Sequence, residues 1–280
     1  MIEVSGKVTI EGSSGMNLVL NQGIERLLAG ERLWDMLQVC SLGRSGKRSR
    51  VTMEGLDDPM GVSALCTKEE FFDNGSGMFI IKVKAEFPGA LSGVREIAWG
   101  DGKGSWNRIT SDKIEGFPAS LDIEADETLT VELEIALAQV KKPYKFYVDF
   151  AGKDIKAQVV PVGLGNKLAW SAEGVGSNKG FGYWGTGVGL QYKGEEVPIQ
   201  ASVQGILEPY QEGSFVRSLR VNLGSEEGNS EKELEAVYFG TSQEGTRNIH
   251  WLWKLEFLEP FVKSSKSKLW LNLGWGLLRG

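Results

Sequence analysis

The chain has 280 residues, 24% of them charged and 41% apolar, with a formal net charge of -6. These values exclude a chain that is disordered throughout, and the acidic balance argues against a general binder of nucleic acid or of an anionic membrane. Glycine (37 residues), Trp (9) and Phe (12) are abundant and Pro (8) is scarce, which favours many short strands joined by tight turns.

The length predicts one or two domains. In chain order, Lys7-Val8-Thr9-Ile10 reads as a strand and Gly12-Ser13-Ser14-Gly15 as a turn. Met16 to Leu20 is a second short strand. Asn21-Gln22-Gly23 then opens Ile24 to Leu37, where Ile24, Leu27, Leu28, Trp34 and Leu37 have roughly helical spacing, interrupted by Gly30. Next comes a glycine-rich basic run, Gly43-Arg44-Ser45-Gly46-Lys47-Arg48-Ser49-Arg50. A phosphate-binding loop needs four residues between its first glycine and Gly-Lys, then Ser or Thr; this run has two, and Arg48 follows Lys47. It reads as a mobile solvated loop, with contact to an acidic surface on a neighbouring subunit as the alternative. Arg44, Lys47, Arg48 and Arg50, with Trp34, are the candidate interface residues.

Further along, Gly182-Tyr183-Trp184-Gly185-Thr186-Gly187-Val188-Gly189 lacks the helix and acidic residue of a dinucleotide fingerprint. It reads as a strand ending in a glycine turn, the counterpart of Cys40-Ser41-Leu42-Gly43. Carboxylates are plentiful (Glu69-Glu70, Asp57-Asp58, Glu124 to Glu127, Glu195-Glu196), and acidic turn residues are ordinary solvation. Trp99, Trp106, Trp184, Trp251, Trp253, Trp270 and Trp275 offer material for a sugar platform, but strand alternation makes core or oligomer packing the first expectation.

Two cysteines, Cys40 and Cys66, and one histidine, His250, leave no Cys/His cluster for a structural zinc. His250 lies in Asn248-Ile249-His250-Trp251 and reads as a paired or solvent-facing strand residue. The cysteines could pair, but free thiols are expected of a protein made in the cytoplasm. No catalytic residue, cofactor or metal is expected. No run of about 18 apolar residues predicts a membrane span, and Met1 to Lys7 lacks the features of a signal peptide.

Internal similarity organises the whole chain. Leu129 to Leu137 and Leu269 to Leu277 both alternate apolar and other residues. Arg95 to Gly100 corresponds to Glu235 to Gly240, and Phe79 to Val83 corresponds to Phe215 to Leu219. Three pairs in the same order predict a tandem duplication, residues 1–140 and 141–280, with Lys141-Lys142-Pro143 as the junction. Trp170 to Gly174 replaces the helix in the second copy. The expected fold is all-β: two tandem antiparallel β-sandwich-like domains with one short helix near the N-terminus.

Asn17-Leu18-Val19-Leu20-Asn21-Gln22-Gly23-Ile24 resembles an early segment found in many tailed-bacteriophage virion proteins, Asn-Leu-(Val/Ile)-Thr-Asn-x-Gly-(Leu/Ile), with Leu20 in place of Thr. Val94-Arg95-Glu96-Ile97-Ala98-Trp99-Gly100, Asn107-Arg108-Ile109 and Leu129 to Leu137 are similar to its later elements. The resemblance covers the first half; the second keeps the glycine strand end, Glu235 to Gly240 and the final strand. It implies a structural protein of the tail, baseplate or tail-fibre region, made in the host cytoplasm, with other virion structural proteins as partners and no catalytic residues. It also implies a setting of three-fold or six-fold symmetry. Three two-domain chains would supply a pseudo-six-fold ring, so the expected homo-oligomer is a trimer. The alternatives are a carbohydrate-binding receptor-recognition module and, third, a glycan hydrolase, for which no carboxylate pair can be placed across a cleft.

Overall fold

A computed structural model describes residues 2–73, 78–140, 142–162, 187–242 and 249–280. The first half holds β1 (Ile2–Ile10), β2 (Ser13–Met16), β3 (Leu18–Val19), helix α1 (Asn21–Ala29), β4 (Val39–Gly43), β5 (Pro59–Leu65), β6 (Thr67–Asp73) and β7 (Met78–Pro88). It continues with β8 (Leu91–Val94), β9 (Glu96–Gly100), β10 (Ser105–Thr110), β11 (Leu121–Ile123) and β12 (Thr128–Gln139). The second half holds β13 (Tyr144–Phe150), β14 (Lys153–Pro161), β15 (Gly187–Tyr192), β16 (Ile199–Gln204), β17 (Ile206–Leu207) and β18 (Arg217–Leu223). It closes with β19 (Leu234–Ser242), β20 (Ile249–Phe261), β21 (Leu269–Trp275) and β22 (Leu277–Arg279). The protein is mostly β, as the composition predicts.

Alternation explains the strands. On β12, Leu129, Val131, Leu133, Ile135 and Leu137 are wholly buried, while the residues between them are more accessible. That is the period of a strand with one face on a core. The helix is shorter than its sequence spacing predicts. It closes at Ala29 because Gly30 adopts a left-handed φ of 107°. Gly30 N–H donates to Leu27 O at 3.1 Å and Glu31 N–H to Arg26 O at 2.9 Å, the two bonds of a Schellman cap. Trp34–Leu37 then forms a single 3-10 turn.

In the first half, one sheet runs β2-β1-β12-β7-β6 and the other β3-β10-β9-β4-β5, with β8 and β11 as a separate ribbon. In the second half, one sheet runs β13-β14-β20-β19-β15-β16 and the other β17-β18-β21. The order β10-β9-β4-β5 matches β20-β19-β15-β16 element for element, and β12 beside β7 matches β21 beside β18. Each of the three sequence pairs falls on strands with matching neighbours: β9 with β19, β7 with β18, β12 with β21.

The halves differ at their first strand and their last. β1 pairs with β12, whereas among the described residues β13 pairs only with β14, and β21 ends its sheet there without a counterpart of β1. The last predicted strand, Leu269 to Leu277, is divided at Gly276. β22 turns away to pair in parallel with β1, Ile2 opposite Leu277. Ile2 N–H donates to Gly276 O at 3.1 Å, and Gly280 N–H to Val4 O at 2.9 Å. A Cβ at Gly276 would stand 2.9 Å from Phe215 O, which explains why glycine makes the bend. Arg279 Nε donates to Val19 O at 2.8 Å, and Arg217 Nη1 to Leu28 O at 3.0 Å. The C-terminal residues therefore cross the predicted boundary at 140/141 and complete the first sheet. Lys141, Trp170 to Gly174 and residues 182–186 lie outside the described residues, whereas Gly187 to Gly189 belong to β15.

Candidate interaction surface

Glu96 and Arg108 project from β9 and β10 on the face of their sheet opposite the core. Arg108 pairs with Ala98 and Thr110 with Glu96, so the two charged residues are diagonal neighbours. Charged residues on an outer face usually meet water, yet both are 0% exposed, because the connection 44–58 between β4 and β5 crosses over them. Arg108 Nε donates to Glu96 Oε2 at 2.7 Å, and Nη2 donates to the same oxygen. Glu96 Oε1 accepts from Asp58 N–H at 2.7 Å and Ser45 N–H at 3.2 Å, and Oε2 accepts from Asp57 N–H at 3.0 Å. Arg108 Nη1 donates to Lys47 O at 3.0 Å and to Ser49 Oγ at 2.9 Å. One carboxylate thus gathers both ends of the connection, and one guanidinium holds its middle.

Local sequence makes room for this arrangement. A Cβ at Gly43 would lie 2.4 Å from Glu96 Oε1. Ser105 N–H donates to Glu54 O at 3.0 Å and Asn21 N–H to Val51 O at 2.7 Å, so β10 and the start of α1 also hold the loop. The expectation of a mobile loop is corrected: backbone and buried charge anchor it along its length.

On this frame Arg44, Arg48 and Arg50 are exposed. Lys47 Nζ pairs with Asp57 Oδ1 at 2.9 Å, and Ser45 Oγ donates to Asp57 Oδ2 at 2.8 Å. The hydrogen bonds from Lys47 and Ser45 hold the Asp57 carboxyl below its ordinary range. Arg95 joins the group, because its guanidinium packs on Gly46, where a Cβ would be 2.5 Å from Nη2. Arg95 Nε also donates to Ala119 O at 3.2 Å. In the sequence Arg95 stands in the repeated segment Arg95 to Gly100, which does not mark it as a neighbour of the basic connection. Trp34 is placed differently: its ring lies under Lys68 Nζ of β6, 5.0 Å from the centroid. The four basic candidates thus share one anchored connection, as their contiguity in sequence requires, while Trp34 has its partner on another sheet.

Beside this connection a groove of about 430 Å3 runs over Ser41, Ser63, Ala98 and Gly100, with Leu56 and Asp101 on its walls. Of the tryptophans considered for a sugar platform, Trp99, Trp106 and Trp253 are buried, Trp251 is half-buried and Trp270 is 69% exposed. Trp184 and the side chain of Trp275 lie outside the described residues. His250 lies on β20, its backbone opposite Thr241. Among the described residues no three His, Cys, Asp or Glu side chains are grouped to hold a metal ion, and no helix is long and apolar enough to cross a membrane. Cys40 and Cys66 are both free thiols.

Large exposed apolar side chains concentrate on strands that end their sheets. Leu65 (82% exposed) closes β5, Tyr144 (67%) and Tyr147 lie on β13, Ile199 on β16, Ile206 on β17 and Trp270 on β21. Such edges present unpaired backbone groups beside apolar surface, a template for another chain. No protein-family model, curated protein or solved structure matches the chain.

Proposed function

We propose that the protein is a non-enzymatic structural component of a bacteriophage tail, baseplate or tail-fibre attachment region, acting through subunit contacts. The concentration of exposed apolar side chains on sheet edges supports a role in assembly; the assignment to a virion rests on the sequence resemblance. The matching strand orders of the two halves support a tandem duplication, and a duplicated chain offers two related but unequal contact surfaces. Three chains would present six such units, joining a six-fold part to a three-fold one, with other virion structural proteins on either side. Electron microscopy of intact particles tests this reading: density for the chain in the tail region of a particle is expected, and particles complete without it overturn it.

A carbohydrate-binding role is the second reading. Trp270 faces out directly opposite Asn222, and Arg220 pairs with Asn272 on the same outer face. An exposed indole beside amides and a guanidinium suits a sugar ring, with stacking below and hydrogen bonds around its rim. Loss of host-polysaccharide binding on Trp270→Ala is the expected result if that role holds.

A further inference from the structure

We propose that the open edge of β21 pairs with β13 of a second copy of the chain, remaking between molecules the ladder that β1 and β12 make within one. The hairpins identify β13 as the counterpart of β1. Ile10 faces Ser13 across the two-residue turn Glu11-Gly12, and Phe150 faces Lys153 across Ala151-Gly152. All four turn residues have positive φ, 47° and 84° in the first turn and 53° and 78° in the second, which matches the twist of a tight hairpin. The turns stand 140 residues apart, as do Leu129 to Leu137 and Leu269 to Leu277.

The two hairpins differ in what they pair with. β1 uses both edges, one on β2 and the other on β12. β13 uses one edge, on β14, and β14 passes on to β20. Among the described residues, the other edge of β13 and the edge of β21 away from β18 form no ladder. Cα atoms of β13 and β21 in one chain come within 8 Å, so the two open edges flank the same side of the second half. One missing pairing thus leaves two vacant edges, each seven residues long.

The side chains of β13 follow the pattern of a covered strand. Val4, Val8 and Ile10 of β1 are buried. At the matching positions of β13, Val148 and Phe150 are buried, but Tyr144 is 67% exposed and Phe146 half-buried, their rings stacked at 6.0 Å. Aromatic rings in the core phase of a strand, left in water, are the kind of surface that subunit contacts cover. In the register of β1 on β12, Thr9 faces Glu132 and Val8 faces Leu133. The same register sets Asp149 opposite Asn272 and Val148 opposite Leu273. A second copy is the occupant because it carries a strand of matching length, hairpin and apolar phase. A twofold axis forms the ladder twice between two chains, and a ring forms it once at each junction. The inference rests on the subunit-contact role proposed above and not on the virion assignment.

Cross-linking of the full chain tests the pairing. Asp149 and Asn272 are both exposed, and opposed residues of an antiparallel pair stand about 4.5–5.5 Å apart at Cβ, near enough for a disulfide to form with a small shift. Asp149→Cys mixed with Asn272→Cys is expected to give a mixed dimer on mild oxidation. Asp149→Cys mixed with Arg220→Cys, one strand in from the edge, is expected to give only a trace, and the parent none. In sedimentation velocity, Tyr144→Ala is expected to weaken self-association about tenfold. No mixed dimer above the trace overturns the pairing; if assembly also persists unchanged in Tyr144→Ala, the contact lies elsewhere and the subunit role stands. A disulfide inside the monomeric double variant Asp149→Cys, Asn272→Cys, without the mixed dimer, overturns it in favour of closure within one chain. A parent chain that is monomeric at about 0.1 mM overturns the pairing and self-assembly together. Because every measurement uses the isolated chain, a failed localisation in particles does not bear on the pairing.

Discussion

Glu96 and Arg108 form an ion pair wholly withdrawn from water beneath a loop of the protein surface. Removing one member leaves the other as an uncompensated buried charge, which typically costs about 3–5 kcal/mol. Glu96→Ala is therefore expected to lower unfolding free energy by about that amount in denaturant titration, and to open the bonds of Ser45, Asp57 and Asp58. Limited proteolysis should then cut first within 44–58. The double replacement Glu96→Met, Arg108→Leu should recover most of the stability but not the protection of the loop. If that double variant also protects the loop, the pair does not hold it.

Gly23 sets how closely α1 lies on β10. A Cβ there would stand 2.7 Å from Trp106 O and 2.8 Å from a carbon of its ring, with backbone on one side and a wholly buried indole on the other. Neither can yield freely. Gly23→Ala gains helix propensity, yet the overpacking is expected to dominate and to destabilise by about 1–3 kcal/mol. A melting temperature at or above that of the parent would contradict this close approach.

The free thiols are expected to be inert. Burial pushes the Cys66 thiol up to about 12, against a small opposing bond from the Cys40 backbone, and burial raises Cys40 well above its ordinary value. At pH 8 the thiolate fraction of Cys66 falls by about three orders of magnitude relative to an unperturbed cysteine. Labelling by a thiol-disulfide reagent should be slower by about that factor in the native protein and rapid in denaturant. Equal rates in the two states would contradict the burial of Cys40 and the partial burial of Cys66.

Arg26 links the helix to the turn after β9 by donating to Glu31 and to both oxygens of Asp101. Burial raises the Asp101 carboxyl, but the hydrogen bonds from Arg26 and from Lys103 N–H, with the charge of Arg26, outweigh it and hold the group below its usual range. A carboxyl depressed on folding adds stability above its unfolded value of about 3.9 and loses it as pH falls through the folded value. Asp101→Asn should cost about 1 kcal/mol at pH 7, and its difference from the parent should shrink below about pH 4. A difference independent of pH would assign the effect to packing.

On the edge strands, Tyr147→Lys on β13 and Ile199→Lys on β16 replace exposed side chains, so monomer stability should change by less than about 0.5 kcal/mol. If those edges carry subunit contacts, both should lower the assembled fraction in sedimentation velocity. Unchanged assembly in both would remove these edges from the interface.

Strand periodicity was legible in the residues themselves. The alternation of Leu129 to Leu137, and the scattering of glycine and aromatic residues, are local properties of a chain with one buried face per strand, and they suffice for an all-β fold. Pairing at a distance is not local. Arg95 to Gly100 and Asn107 to Ile109 could be read as strand segments, but that Glu96 would meet Arg108 under a loop depends on the register of β9 on β10 and on the path of 44–58. The sequence placed Arg44, Lys47, Arg48 and Arg50 in one loop; only the tertiary structure anchored that loop, added Arg95 to it and turned Trp34 toward Lys68. It likewise carried β22 back to β1, because a strand satisfies its backbone with whichever edge the folded chain brings beside it, and no pattern within Leu277 to Arg279 specifies which edge that is.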